Sequence, residues 1–359
     1  MHMSDALVSP AVGGAMWGVA VGVAAWSARK LRQAPEDGRV PLMGVLGAFV
    51  FAAQMVTFAI PATGSSGHLG GGVLLAIILG PGAAFLVMAS VLMVQALLFA
   101  DGGLLALGCN IVNLGFFASF LAYPFVFRPV AGARPTPRRL FGASLAACVV
   151  GLQLGALGVV VETALSGVSE LRFASFLLLM QPIHLAIGIV EGLVTGAVVV
   201  FLRRARADLP LGTALAPEAG RPRSRRAALV AVGLVAMLGA GVLSWFASSR
   251  PDGLEWSLAR LAGGRTPVVP DTGLRRALAR AQAAMALLPE YGLEKNAAGG
   301  RESRPRSWPA VDAGTSTAGL VGALLTLALS GAVGAGLRAV RRSAPASRAP
   351  SLRSRQDVT

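Results

Sequence analysis

The sequence runs to 359 residues, 54% of them hydrophobic and only 14% charged, with a mean hydropathy of +0.66 and a formal net charge of +15. A water-soluble chain carries about a quarter charged residues, and a disordered one is polar and charge-rich, so both classes are excluded. The positive charge is gathered in clusters between long apolar runs, which argues for a membrane protein and against a nucleic-acid binder.

The start, Met1-His2-Met3-Ser4-Asp5, has no basic stretch before the first apolar run. It lacks the pattern of a cleavable signal peptide, so it is expected to stay on the mature chain. Apolar stretches of spanning length, about 20 residues, lie near 13–28, 42–60, 104–127, 140–164, 179–202, 227–248 and 315–337. The stretch 71–100 is apolar too, but it is cut at Gly80-Pro81-Gly82, where the helical hydrogen-bond ladder is interrupted.

Charge placement sets the number of crossings. Four basic clusters begin at Arg29, Arg128, Arg203 and Arg338 and hold 21 of the 32 basic residues. The positive-inside tendency puts all four in the cytoplasm. An odd number of crossings then separates the 61–70 loop from Arg128: a short one near 71–80, one near 83–100 and one near 104–127. The expected fold is an all-α polytopic membrane protein with about nine transmembrane helices, the N-terminus outside and the C-terminus inside. Residues 1–203 form a seven-span unit. A basic cytoplasmic linker, 204–226, leads to a two-span unit, 227–340, whose 249–313 segment is a small extracytoplasmic domain. Trp245, Trp256 and Trp308 near its ends are expected as interfacial anchors. A basic cytoplasmic tail occupies 341–359.

Several chemistries are missing. Neither lysine, Lys30 or Lys295, sits in a G-x-x-x-x-G-K-[ST] phosphate loop, so the chain has no ATP site. There is no H-E-x-x-H, no zinc spacing and no nucleophile elbow; Gly64-Ser65-Ser66-Gly67 reads as a tight turn. Cys109 and Cys148 read as small buried hydrophobes.

Three histidines carry what chemistry there is: His2, His68 and His184. The expected topology puts His2 and His68 outside. The Met1 amine, the His2 amide nitrogen and the His2 imidazole can form fused chelate rings on one metal ion, and His68 can add a fourth nitrogen. Four in-plane nitrogens suit Ni(II) or Cu(II), and Co(II) is compatible. On spacing alone this stands beside the ordinary reading of solvated or structural histidines. His184 and Glu191 lie seven apart on one helix face inside a span, where ionisable groups are costly. They read either as part of a cation route or as a structural hydrogen-bonded pair, with the pair favoured. Asp101 reads as a helix cap at an outer turn, while Asn110, Asn113 and Gln95 read as polar bridges between helices. Gly14, Gly18 and Gly22 form a small-residue stripe on the first span, and Gly44, Ala48 and Ala52 form another on the second. Internal packing explains such stripes; docking of a partner protein is the sharper reading for one of them.

Several blocks occur in order: Met1-His2-Met3-Ser4-Asp5, Gly47-Ala48-Phe49-Val50-Phe51-Ala52-Ala53-Gln54, Ser66-Gly67-His68-Leu69-Gly70-Gly71, Gln95 to Gly103 with Phe99-Ala100-Asp101-Gly102-Gly103 at its end, Leu107-Gly108-Cys109-Asn110 and His184-Leu185-Ala186-Ile187-Gly188. Together they make residues 1–203 resemble the CbiM/NikM family, the substrate-capture components of cobalt and nickel transporters of the energy-coupling-factor type. Pro251-Asp252-Gly253-Leu254-Glu255 resembles the PDGLE signature of NikN-type accessory components, so the chain resembles a fused NikM–NikN protein.

The resemblance implies metal ligands at Met1, His2 and His68, supported by Asp5, Ser65, Ser66, Asp101, Asn110, His184 and Glu191. Ala6 stands where the family commonly has glycine, and Ser65 where its loop often has threonine; neither departure removes a ligand. It also implies that Ni(2+) or Co(2+) is the transported substrate, with the planar nitrogens leaning toward nickel. The partners it implies are a separate energy-coupling ATPase, a transmembrane scaffold (T) component and the lipid bilayer of a bacterial cytoplasmic membrane. The PDGLE unit is expected to act on loading or loop ordering, with Asp252 and Glu255 in at most weak contact with the cation. Capture is expected to weaken below a histidine pKa of about 6.5. A metal-sensing receptor without transport and an intramembrane enzyme using His184 and Glu191 are the rival functions; co-purification of an ATPase and an activity lost in His184→Ala distinguish them.

Overall fold

A computed structural model describes residues 2–33, 39–169, 171–204, 225–261, 273–293 and 308–342. Met1, residues 205–224 of the linker and 343–359 of the tail lie outside the described residues, as do 262–272 and 294–307 of the extracytoplasmic segment.

The apolar runs fold as helices. Helix α1 (Pro10–Gln33) opens with Ser9, whose Oγ accepts the Val12 N–H at 3.3 Å, and with Pro10 in its first turn, where a missing N–H costs nothing. Helix α2 (Arg39–Met55) leads into a two-stranded hairpin, β1 (Phe58–Ala59) with β2 (Ser66–Gly67). Helices α3 (Gly72–Leu79), α4 (Pro81–Leu98) and α5 (Leu107–Ala131) follow, the last π-helical through Val112–Phe127. Then come α6 (Pro137–Ser166), α7 (Phe173–Arg204), α8 (Arg225–Gly241), α9 (Gly253–Leu261), α10 (Gly273–Met285) and α11 (Ala313–Arg342). Helices α1, α4, α5, α6, α7 and α11 are long and apolar enough to cross a bilayer, and Val40–Met55 and Leu229–Gly241 are shorter apolar helices.

The break at Gly80 is real and tight. Gly80 takes φ +79°, a conformation that favours glycine, and Pro81 starts α4 directly after it. Helix α3 has eight residues, so it is about 12 Å long and covers less than half of a bilayer core. The non-helical chain before it continues into the bundle. Gly70 lies against Glu191 of α7, and Gly72 against Ala118 and Leu114 of α5, all well inside the bundle. Irregular backbone at such depth is tolerated only where protein surrounds it and satisfies its polar groups. The 60–71 loop therefore runs into the bundle, and His68 sits on it.

The two small-residue stripes differ in fate. A Cβ at Gly44 would lie 2.9 Å from Leu327 O, and Ala48 and Ala52 are buried, so the α2 stripe packs against α11. A Cβ at Gly14, Gly18 or Gly22 meets nothing within 4 Å, so the α1 stripe faces outward. The tightest stripe is a third one, Gly188, Gly192 and Gly196 on α7, where added Cβ atoms would fall 2.9, 2.6 and 2.7 Å from Val149, Leu145 and Phe141 of α6. Such close backbone approach is how helices associate where lipid removes the hydrophobic drive. Of the expected interfacial anchors, Trp245 instead donates to Ser316 Oγ at 2.7 Å, and Trp256 is partly buried with its indole near Gly64; Trp308 is exposed.

Candidate metal centre

The N-terminal segment is pinned along its length. Met3, Leu7 and Val8 are buried. The Met3 N–H donates to Asn110 Oδ1 at 2.8 Å, and Asn110 Nδ2 donates back to Met3 O at 3.2 Å, as a neighbouring strand would. The Gly103 N–H also donates to Met3 O, and Asp5 Oδ1 accepts the Ala106 N–H at 3.0 Å. Gly103 is required there: a Cβ would fall 1.8 Å from Asp5 Oδ1. Asp5 and Asn110 thus fix the backbone that carries His2. Burial raises the Asp5 pKa, against the lowering pull of the Ala106 and Leu105 amides and of Arg275.

This brings His2 to His68. Their rings stack with centroids 5.3 Å apart and planes 11° apart. His2 Nδ1 lies 3.2 Å from Asp101 Oδ1, and His2 Nε2 is buried without a hydrogen-bond partner. Asp101 is not the helix cap expected. Its Oδ2 accepts the Tyr291 hydroxyl at 2.6 Å. Burial alone would raise the Asp101 pKa; the His2 charge and the hydrogen bonds from His2 and Tyr291 outweigh that and hold the carboxyl below its usual range. His68 Nδ1 faces Leu69 O at 3.1 Å, and burial pushes the His68 imidazole down to about 3.

Glycine and serine shape the loop around His68. Ser65 is buried, with Oγ 2.8 Å from Thr63 Oγ1. Ser66 turns away from the rings: its N–H donates to Pro251 O at 2.8 Å and its Oγ to Arg250 O at 2.8 Å, and it forms a parallel bridge with Asp252. The Pro251-Asp252-Gly253-Leu254-Glu255 run has a clear local logic. Asp252 Oδ1 accepts the Glu255 N–H at 2.8 Å and Glu255 Oε2 accepts the Asp252 N–H at 3.1 Å, a reciprocal cap on α9. Gly253 leaves room for α7, since a Cβ would fall 2.6 Å from Ile183 Cγ2, and Leu254 is buried. Asp252 also acts electrostatically on His68 and His184.

His184 and Glu191 do not pair with each other. Seven residues put them two turns apart, and each finds a nearer partner. His184 Nδ1 is 2.7 Å from Met180 O, which leaves Nε2 buried and unpartnered. Glu191 accepts the Gly70 N–H at 2.7 Å and the Gly71 N–H at 3.0 Å, directly after His68. Cys109 and Cys148 are free and fully buried among apolar residues, as expected. Glu162 accepts Asn113 Nδ2 at 2.7 Å.

Sequence reasoning missed Tyr291, Gln282 and Arg275. Arg275 Nη2 donates to Val8 O at 2.8 Å, and Gln282 Nε2 donates to Gly102 O at 2.7 Å. The one available signal was that Tyr291 is one of two tyrosines in the chain. Gln54, at the end of α2, also shapes the loop: its Nε2 holds Gly70 O at 2.8 Å and its Oε1 accepts from Gln95 at 2.7 Å. Among the described residues, no three His, Cys, Asp or Glu side chains converge as a metal-ligating group. Side chains here supply two imidazoles, the Asp101 carboxylate beside His2 and the Asp252 carboxylate, which acts electrostatically on His68.

Comparison with known proteins identifies the family. The family model for the cobalt uptake substrate-specific transmembrane region, CbiM, matches residues 2–209, and that for the PDGLE domain matches 226–339. The cobalt transport protein CbiM of Geobacter sulfurreducens is 34% identical over 252 residues, 66% of this chain and 70% of its own. The fused nickel transport protein NikMN of Rhodobacter capsulatus is 29% identical over 313 residues, 81% of this chain and 88% of its own. A crystal structure of a transition metal transporter, 30% identical, superposes with a TM-score of 0.51 over 57% of this chain and 94% of its own. This chain is therefore a multi-pass membrane protein of metal transport, not an enzyme, and it belongs to the CbiM family with a PDGLE domain joined to it.

Proposed function

We propose that this chain captures nickel or cobalt ions outside a bacterial cytoplasmic membrane for an ATP-driven importer of the energy-coupling-factor type. The N-terminus lies outside and the C-terminus inside. Residues 1–203 bind the ion and 227–340 assist, joined by the 204–226 linker. Energy comes from a separate ATPase through a separate transmembrane scaffold, whose work reorients the capture unit toward the cytoplasm. The ligands are the Met1 amine, the His2 amide and imidazole nitrogens and His68; Met1 lies outside the described residues.

The observation that carries this reading is the His2–His68 stack, 5.3 Å between centroids, where the N-terminal segment meets the 60–71 loop. Four nitrogens in one plane favour Ni(II). Membership of a cobalt-uptake family and likeness to a nickel transport protein support both candidate ions.

The test is titration of the purified protein with Ni(II) and with Co(II), native against a variant carrying extra residues before Met1. The extension keeps every side chain and removes the terminal amine from the site. Loss of binding is expected, and the tighter ion in the native protein names the substrate. Unchanged binding overturns the chelate and moves the search to His68, His184 and the carboxylates.

A further inference from the structure

We propose that Tyr291, in the PDGLE part of the chain, is a positioning residue for metal capture that acts through Asp101 on the His2 ring. The inference rests on the capture reading above.

The contact is specific. Tyr291 Oη donates to Asp101 Oδ2 at 2.6 Å while the other oxygen, Oδ1, stands 3.2 Å from His2 Nδ1. One carboxylate thus ties the N-terminal imidazole to a hydroxyl 190 residues from Asp101. The aromatic ring of Tyr291 stacks on Phe99 with centroids 4.8 Å apart and planes 14° apart. A phenylalanine would stack as well, so the hydroxyl is the part that packing does not explain.

The backbone that presents this hydroxyl is strained. Glu290 and Tyr291 take φ of +52° and +59°, and Ala100, beside Asp101, takes φ +54°. Left-handed conformation at non-glycine residues is unfavourable and persists only where surrounding contacts impose it. Those contacts are present: Leu288 N–H donates to Leu98 O at 3.1 Å and Glu290 N–H to Phe99 O at 2.9 Å. Gln282 Nε2 adds bonds to Ala96 O and Gly102 O, either side of Asp101. The strain is concentrated on the two turns that meet at the Asp101 carboxylate.

The chemistry gives the contact a use. A chelate ring that starts at the His2 amide nitrogen closes through Nδ1, the ring atom that now faces Asp101. Half a turn about the Cβ–Cγ bond frees Nδ1 for the metal and brings the Cδ2–Nε2 edge toward Asp101. The carboxylate then accepts the Nε2–H, the usual arrangement for a metal-bound histidine. In the present orientation Nε2 is buried and unpartnered. Asp101 stands on this edge of the ring in either orientation, provided it stays in place. Tyr291 occupies Oδ2 and keeps Oδ1 aimed at the ring.

The experiment is a double-mutant cycle in the full chain, read by Ni(II) titration with the metal alone and by the visible absorption of the bound ion. Tyr291→Phe is expected to weaken binding by about tenfold, the low end for loss of a partner behind a ligand. The Ni(II) band should keep its position, because no ligand is lost. Asp101→Asn is expected to weaken binding at least as much, and adding Tyr291→Phe to it should cost nothing more. A purely structural Tyr291 would cost the same in both backgrounds, and that result overturns the proposal. So does native affinity in Tyr291→Phe. If the N-terminal extension abolishes native binding while Tyr291→Phe does not weaken it, only this inference fails; if the extension changes nothing, the capture reading fails with it.

Discussion

Glu191, inside α7, and Gly70, two residues after His68, are joined by a 2.7 Å hydrogen bond in which the carboxylate accepts the backbone N–H, and the Gly71 N–H adds a second at 3.0 Å. A buried acid is costly, and here it replaces the strand or helix partners that non-helical chain inside a bundle lacks. Glu191→Gln offers one acceptor and turns an NH2 donor toward the other amide. Leaving one buried N–H unsatisfied costs about 1–3 kcal/mol. Hydrogen exchange of the 68–75 backbone in detergent should then speed up by about tenfold or more, since each 1.4 kcal/mol is tenfold. Unchanged exchange would mean that Gln54, which holds Gly70 O at 2.8 Å, suffices by itself.

Two glycines separate required from dispensable small residues. A Cβ at Gly72 would stand 2.6 Å from Leu114 O and 2.6 Å from Ala118 Cβ, so α3 or α5 must shift to admit it. Gly72→Ala should lose about 1–3 kcal/mol, the usual cost of overpacking. Gly18, in mid-helix, meets nothing within 4 Å. Gly18→Ala should be neutral or stabilise by up to about 1 kcal/mol, because the unfolded chain loses freedom. Thermal unfolding in one detergent compares the two; equal shifts would contradict the packing described.

What the sequence made legible was local. Hydropathy located the spans, and Gly80-Pro81 announced its own break, because a positive φ and a missing N–H act within a few residues. Gly64-Ser65-Ser66-Gly67 is only half a turn: Gly64, at φ +84°, ends the turn over 61–64, and Ser66–Gly67 pairs as β2. The site was half legible. His2 and His68 stood out as rare residues, but nothing local shows that Asp101 serves His2 rather than a helix end. That depends on Tyr291, 190 residues away, and on an unpredicted strained turn. The His184–Glu191 pair failed because helix periodicity reports which face residues share and not what the opposite element offers. There, the loop offered two amides to Glu191 and the preceding turn offered Met180 O to His184.

Acid should loosen the His68 loop in a defined window. Burial lowers the folded His68 pKa from 6.5 to about 3, so the folded loop refuses a proton that the opened loop accepts. The stability this residue contributes is whole above pH 6.5 and falls as pH drops toward about 3, by up to about 1.4 kcal/mol per pH unit. Exchange at 66–71, corrected for its intrinsic pH dependence, should accelerate below pH 6.5 in the native protein. His68→Asn should lose that extra slope. The same slope in both proteins would assign the acid sensitivity to another group.

The reciprocal cap of Asp252 and Glu255 predicts how the PDGLE run acts without touching the metal. Glu255 Oε2 holds the Asp252 N–H at 3.1 Å, and the preceding residue, Pro251, presents the carbonyl that accepts the Ser66 N–H at 2.8 Å. The first turn of α9 and the edge of the His68 hairpin are thus one hydrogen-bonded unit. Glu255→Gln retains an acceptor and should behave as the native protein, since Gln serves this position in the capping box. Glu255→Leu loses it at a cost of about 1 kcal/mol, the typical value for a lost cap. Exchange at the start of α9 and at Ser66 should rise together, about fivefold for that cost. Nickel uptake by cells should fall while the affinity of the purified protein holds, because the ligands are untouched and only the ordering of the loop is weakened. A rise at α9 without one at Ser66 would show that the cap and the hairpin are independent. Lost affinity in Glu255→Leu would place this run in the binding step rather than in loading.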